Sequence, residues 1–223
     1  MALKKEKRPI RSINPRTLLL YGAPKVGKTT VLSQLEDCLV IDTEQGSDML
    51  EGYFVGINNR QELLDFYKEA RTRHDYTYFA LDTVDKVVEW TERSICDEYQ
   101  VTTIGEVGTY GLGWQLARQK VMANIDYLLE LAGKIIVTGH RKIAASIDNS
   151  TAVDPESLDL SGKLKNQLMS KMDAVGYMFR DPEDNNLMVS FKGEQALEAG
   201  SRCNHLKGQI FPFDWNKIYK EEK

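Results

Sequence analysis

The chain has 223 residues, a formal net charge of −4, 42% hydrophobic and 28% charged residues. That profile is one soluble domain with a single sizeable core. No apolar run approaches the roughly 18 residues a membrane span needs, the basic start M-A-L-K-K-E-K-R-P-I-R lacks the apolar stretch of a secretory signal, and the acidic balance argues against coating nucleic acid by bulk charge.

Cys38, Cys96 and Cys203 are odd in number and widely spaced. They read as reduced thiols in a cytoplasm rather than a disulfide framework or zinc site. Any DNA contact is expected from local basic clusters: Lys4, Lys5, Lys7, Arg8 and Arg11; Arg141 with Lys142; Lys163, Lys165 and Lys171.

Residues 1–14 read as a flexible basic arm and 15–223 as a single domain. Thr17–Tyr21 (T-L-L-L-Y) is an apolar run expected as a buried strand, ended by a glycine loop. Lys28–Asp37 reads as a helix, Cys38–Asp42 (C-L-V-I-D) as a strand, Asn59–Arg71 as a helix and Thr77–Asp82 (T-Y-F-A-L-D) as a strand. The next helix carries Val84, Val87, Val88, Thr91 and Ile95 on one stripe. The one after it carries Trp114, Ala117, Val121, Ile125, Leu128 and Ala132 at helical spacing. Lys134–His140 is another strand. From Asp173, D-A-V-G-Y-M-F-R, the polar P-E-D-N-N and L-M-V-S-F-K predict a β-hairpin. Apolar strands separated by helices imply an α/β fold: a mostly parallel sheet flanked by helices, with a C-terminal antiparallel hairpin.

Gly22-Ala23-Pro24-Lys25-Val26-Gly27-Lys28-Thr29 matches G-x-x-x-x-G-K-[ST], between a buried strand and a helix. The glycines let backbone N–H groups wrap phosphates, and the helix N-terminus favours their charge. Lys28 is expected to reach the β- and γ-phosphates of ATP. Thr29 is expected to coordinate magnesium, and Thr30 to donate to the α-phosphate. Asp82, closing a neighbouring buried strand, is the expected carboxylate of the magnesium site.

Thr83 follows Asp82, so a water-activating acid is expected elsewhere. Glu44 leaves the carboxyl end of the strand next after the P-loop helix, where ligands of parallel sheets bind, and is the expected base. Asp42 is the fallback. His140, closing I-I-V-T-G-H, is the candidate sensor of the γ-phosphate.

This order of a P-loop, D-T-E, a strand ending in Asp82 and a strand ending in a polar residue resembles the RecA-type recombinase core. The resemblance puts Glu44 and His140 where such proteins carry their glutamate and their strand-ending glutamine or histidine. G-A-P-K-V-G-K-T-T, I-D-T-E-Q-G, Y-G-L-G-W and T-G-H-R-K look like the phage-encoded nucleotide-binding proteins, RecA-like cores that include single-strand annealing recombinases. The resemblance covers roughly residues 15–215. It implies an oligomeric, ring- or filament-forming ATPase in the host cytoplasm, acting on single-stranded DNA, with a phage single-strand binding protein as partner. It also implies a basic residue from the C-terminal hairpin reaching a neighbour's ATP: Arg202, with Lys192 as runner-up.

Two long polar loops, Gln100–Gly111 and Arg141–Gly162, are the expected DNA contacts, with Arg141, Lys142, Lys163 and Lys165 as cations. Tyr110 and Trp114 are candidate stacking residues, Trp114 fitting the core stripe equally well. Two other functions stay open: a motor or loader subunit acting on a protein, and a small-molecule kinase, which would need an arginine-rich lid that the sequence does not show.

Overall fold

Alternation along one strand sets the layers. The computed structural model describes residues 12–72, 74–142, 156–195 and 197–221. In β1 (Thr17–Gly22) every residue is buried. Leu18 and Leu20 face one apolar layer and Leu19 and Tyr21 the other, because successive side chains of a strand point to opposite faces.

The sheet has nine strands among the described residues. Six are mutually parallel: β3 (Tyr53–Gly56), β2 (Cys38–Asp42), β4 (Tyr78–Asp82), β5 (Ile135–His140), β1 and β6 (Ala174–Arg180), in that spatial order. β7 (Leu187–Ser190) and β9 (Ile210–Pro212) extend it antiparallel beyond β6, and β8 (Gly200–Ser201) pairs with the start of β6.

One face is covered by α2 (Arg60–Ala70), α3 (Val84–Tyr99), α4 (Leu112–Ala132) and α5 (Gly162–Lys171). The other is covered by α1 (Lys28–Ser33) and the C-terminal segment, which brings Leu206, Phe211, Phe213 and the short α6 (Trp215–Ile218) onto it. The expected mostly parallel α/β sheet with a C-terminal antiparallel part is the fold observed.

Details depart from the pattern. α1 stops at Ser33 rather than Asp37. The Asp37 carbonyl accepts the N–H groups of Thr77 and Tyr78, both at 3.0 Å, which draws the chain out of the helix toward β4. The edge strand β3 is short and half exposed, without the apolar alternation that announces a strand.

Gln100–Gly111 is a structured turn, not an open polar loop. Residues Ile104–Glu106 form a 3₁₀ turn with a Thr103/Glu106 capping box. Ile104 and Val107 are buried against Ile95, Cys96 and Ala117. Trp114 departs from the core stripe: it is 39% exposed, while Ala117, Val121, Ile125 and Leu128 are buried.

Residues 1–11 and 143–155, within the expected arm and the second expected loop, lie outside the described residues. Asn14 is buried; its side chain donates to the Lys220 carbonyl at 2.6 Å and accepts the Lys220 N–H at 2.8 Å.

Candidate nucleotide site at the carboxyl edge of the sheet

β1 delivers the P-loop between two parallel neighbours. Gly22 stands opposite His140 of β5 and Met178 of β6. A Cβ on Gly22 would lie 2.4 Å from the Met178 carbonyl oxygen, so the strand end abuts β6 only as glycine. Gly27, at φ 121°, makes the turn into α1, a conformation side chains disfavour. Val26 is buried and anchors the loop in the α1 layer.

The Lys28 side chain is buried back under its own loop. Its ammonium donates to the Ala23 carbonyl at 3.1 Å and the Gly22 carbonyl at 3.4 Å. Burial lowers its pKa, while Asp82, Glu44 and Asp85 act to raise it. Thr29 Oγ1 donates to Asp82 Oδ2 at 2.6 Å. The Thr138 hydroxyl donates to the other carboxylate oxygen of Asp82 and so fixes its orientation.

The Thr29 and Asp82 oxygens are the hard donors magnesium prefers, and magnesium takes its remaining ligands from phosphate and water. No group of three or more His, Cys, Asp or Glu among the described residues forms an all-protein cage. By its donor chemistry the Thr29–Asp82 pair fits a nucleotide-borne magnesium.

Glu44 and His140 meet at the same edge. Glu44 Oε1 accepts the Thr83 hydroxyl at 3.2 Å and lies 3.9 Å from His140 Nδ1. Asp42 does not share this position. Its carboxylate accepts the N–H groups of Glu44 at 3.0 Å and Ser47 at 3.1 Å, so it builds the turn that presents Glu44.

Sequence reasoning missed Asp85. Its Oδ2 accepts the His140 backbone N–H at 3.2 Å and lies 3.5 Å from His140 Nδ1. The hydrogen bond to Asp85 raises the His140 pKa against the opposing effects of burial and Lys28. The available signal was an acid in the first turn of the helix after Asp82.

Arg180 was also missed. It ends β6 beside the P-loop, its Nε donating to the Val26 carbonyl at 3.1 Å and its Nη1 to the Asn185 carbonyl at 3.1 Å. A Cβ on Gly27 would lie 3.3 Å from its Nη2.

The other proposed cations sit elsewhere. Arg202 is at the opposite, amino edge, where its Nη1 lies 3.4 Å from Asp173 and its Nη2 donates to the Ser170 carbonyl. Lys192 pairs with Glu194 at 2.6 Å. Within its own chain, neither is among the groups that hold the P-loop.

Arg141 is not an open cation. It pairs with Glu156 at 2.7 Å and donates to the Tyr177 hydroxyl at 3.1 Å, while its backbone N–H donates to Gly22 at 3.0 Å. Lys165 pairs with Glu198 at 2.7 Å. Lys142 and Lys163 are exposed.

A family model described as an AAA domain matches residues 14–203. The chain belongs to this AAA-domain family. It is an AAA-type P-loop ATPase domain.

The AAA domain is 23% identical over 165 residues to the SPbeta prophage-derived uncharacterized protein YorG of Bacillus subtilis (strain 168), covering 64% of this chain and 51% of that protein. It thus spans about half the length of the curated relative it matches.

Among solved structures it is similar to a RadB recombinase, at 12% identity and TM-score 0.49, covering 92% of this chain and 90% of the other. A KaiC-like protein of Pyrococcus horikoshii OT3 gives 12% identity and TM-score 0.49 over 91% and 86%. Likeness at this level carries no functional argument. No helix among the described residues is long and apolar enough to cross a membrane.

Proposed function

We propose that this AAA domain binds and hydrolyses ATP at the carboxyl edge of β1, and that it serves phage recombination on single-stranded DNA as part of a homo-oligomer. The observation that carries the ATP reading is the 2.6 Å contact of Thr29 with Asp82 beside the buried Lys28. Magnesium, when bound through these two oxygens, supplies charge neutralisation at the phosphates. Lys28 gives the β- and γ-phosphates a compact positive partner. Glu44, 38% exposed at its side chain, orients and deprotonates the attacking water. His140, between Glu44 and Asp85, responds to loss of the γ-phosphate.

The recombination reading is supported by the RecA-type order of motifs and the prophage origin of a relative. A second reading, a motor or loader acting on a protein partner, is favoured by one observation: Arg141 and Lys165, two of the expected DNA cations, are already paired with Glu156 and Glu198. ATP turnover with and without single-stranded DNA separates the two. Stimulation supports the DNA reading, and unchanged turnover with no DNA binding replaces it with the protein-partner reading.

A further inference from the structure

Phosphoryl transfer commonly draws on a positive group besides the P-loop lysine. Several cations of the chain are committed elsewhere. Arg202 lies at the amino edge, Lys192 pairs with Glu194 and Arg141 with Glu156. Arg180 holds the P-loop through the Val26 and Asn185 carbonyls. His140 stands at the carboxyl edge, opposite Gly22.

Its Nδ1 faces two acids, Asp85 Oδ2 at 3.5 Å and Glu44 Oε1 at 3.9 Å. Ionised carboxylates only accept, so Nδ1 carries a proton. A neutral ring protonated there has only a lone pair at Nε2, and a phosphate oxygen is itself an acceptor. Both nitrogens donate only in the imidazolium.

The same Asp85 oxygen accepts the His140 backbone N–H at 3.2 Å, which fixes the acid relative to the ring. A Cβ on Gly139 would clash with Leu158 Cδ1 and lie 3.4 Å from this oxygen, so glycine lets the first turn of α3 close on β5. The His140 and Asp85 side chains are only 25% and 23% exposed, and solvent screens the pair only in part.

The hydrogen bond to Asp85 raises the His140 pKa, against burial and the Lys28 charge. Of the other charges nearby, Lys86 pairs with Glu89 at 2.7 Å, Glu156 is taken by Arg141, and Asp159 is exposed.

We infer that His140 works as an imidazolium that reads the γ-phosphate, and that Asp85 is the positioning residue that holds it in that state. The inference rests on the ATP reading proposed above and adds the charge state and its keeper.

The test is calorimetric titration of the full chain with magnesium ADP and with magnesium β,γ-imido-ATP, which is not hydrolysed, at about pH 6 and about pH 7.5, on either side of the ordinary histidine value. The quantity read is the preference for the triphosphate over ADP. Asp85→Asn keeps an oxygen for the backbone N–H but loses the charge. It should lose little of the preference at the lower pH, where an ordinary histidine is mostly charged. At the higher pH it should lose about tenfold, the scale of one charged hydrogen bond. The nucleotide's own protonation is common to both proteins and cancels. In a His140→Gln background, Asp85→Asn should cause no further loss.

An equal loss at both pH values, or none at either, overturns the inference, as does a full further loss in the His140→Gln background. If the native protein binds neither nucleotide, the ATP reading fails and takes this inference with it; binding of both without an effect of Asp85 overturns the inference alone. Should Asp85→Asn not fold, NMR titration of the native His140 ring, assigned by its absence in His140→Gln, decides the point. Its midpoint should be higher with β,γ-imido-ATP bound than with ADP, and an equal or lower midpoint overturns the inference.

Discussion

Arg180 Nε donates to the Val26 carbonyl at 3.1 Å, which ties the outer turn of the P-loop to the end of β6. The same guanidinium donates to Asn185, so the loop is pinned to the β6–β7 turn as well. Phosphate-binding N–H groups work only when held in one arrangement, and this clamp is what Arg180 supplies.

Replacing Arg180 by alanine therefore raises the Kd for ATP by about tenfold, the scale of one hydrogen bond made by a charged group. Lysine does not restore it, since a single ammonium cannot reproduce the two-pronged guanidinium contact. Equilibrium titration with a fluorescent ATP analogue measures this, and native affinity in Arg180→Ala would remove Arg180 from the site.

Lys28→Ala abolishes turnover, because the transferred phosphoryl group loses its buried cation. Glu44→Gln separates binding from chemistry: ATP affinity stays near native while kcat drops by about 10²-fold or more. A steady-state assay beside a binding titration checks both. Parallel loss of affinity and rate in Glu44→Gln would make Glu44 a structural residue of the turn that Asp42 builds.

The Asp85–His140 contact makes stability depend on pH. Asp85 raises the folded-state pKa of His140 above the ordinary value, which is about 6.5 in an unfolded chain. The charged-histidine contribution is then fully present below about pH 6.5 and is lost as pH rises through the higher folded value. Asp85→Asn removes that contribution. The stability gap between native protein and Asp85→Asn should accordingly be larger at about pH 6 than at about pH 9. Urea unfolding midpoints at the two pH values report it, and a gap that does not narrow contradicts the assignment.

Arg141 and the exposed lysines should behave differently. Arg141→Ala breaks the contacts to Glu156 and Tyr177 beside Gly22, so it lowers Tm and ATP affinity whether or not DNA is present. Replacing Lys142 and Lys163 by alanine leaves ATP affinity intact. It weakens single-stranded DNA binding and reduces the slope of log K against log salt by about 0.7 per lost phosphate contact. Binding curves at several salt concentrations test this, and an unchanged slope would remove both lysines from the DNA surface.

By itself the sequence determined the P-loop, the strands that bound it and the acids and histidine at strand ends. These signals are local: a fixed glycine spacing, a buried apolar run, a polar residue closing that run. Parallel strands gather their carboxyl ends on one edge, so Glu44, Asp82 and His140 could be assigned to one site without knowledge of strand order.

What only the tertiary structure decided is which strands are neighbours. β6 lies directly against β1, and that adjacency turns Arg180, a strand-end arginine like any other in the sequence, into the clamp on Val26. β5 lies on the other side, and its register sets His140 opposite Gly22 and brings Thr138 to Asp82. Arg202 is carried to the far edge by its pairing beside Ala174, and Ile104 and Val107, lone apolar residues in a polar stretch, are buried only because α3 and α4 converge on them. Contacts between residues far apart in the chain depend on the order and register of the strands, and no local periodicity encodes that order.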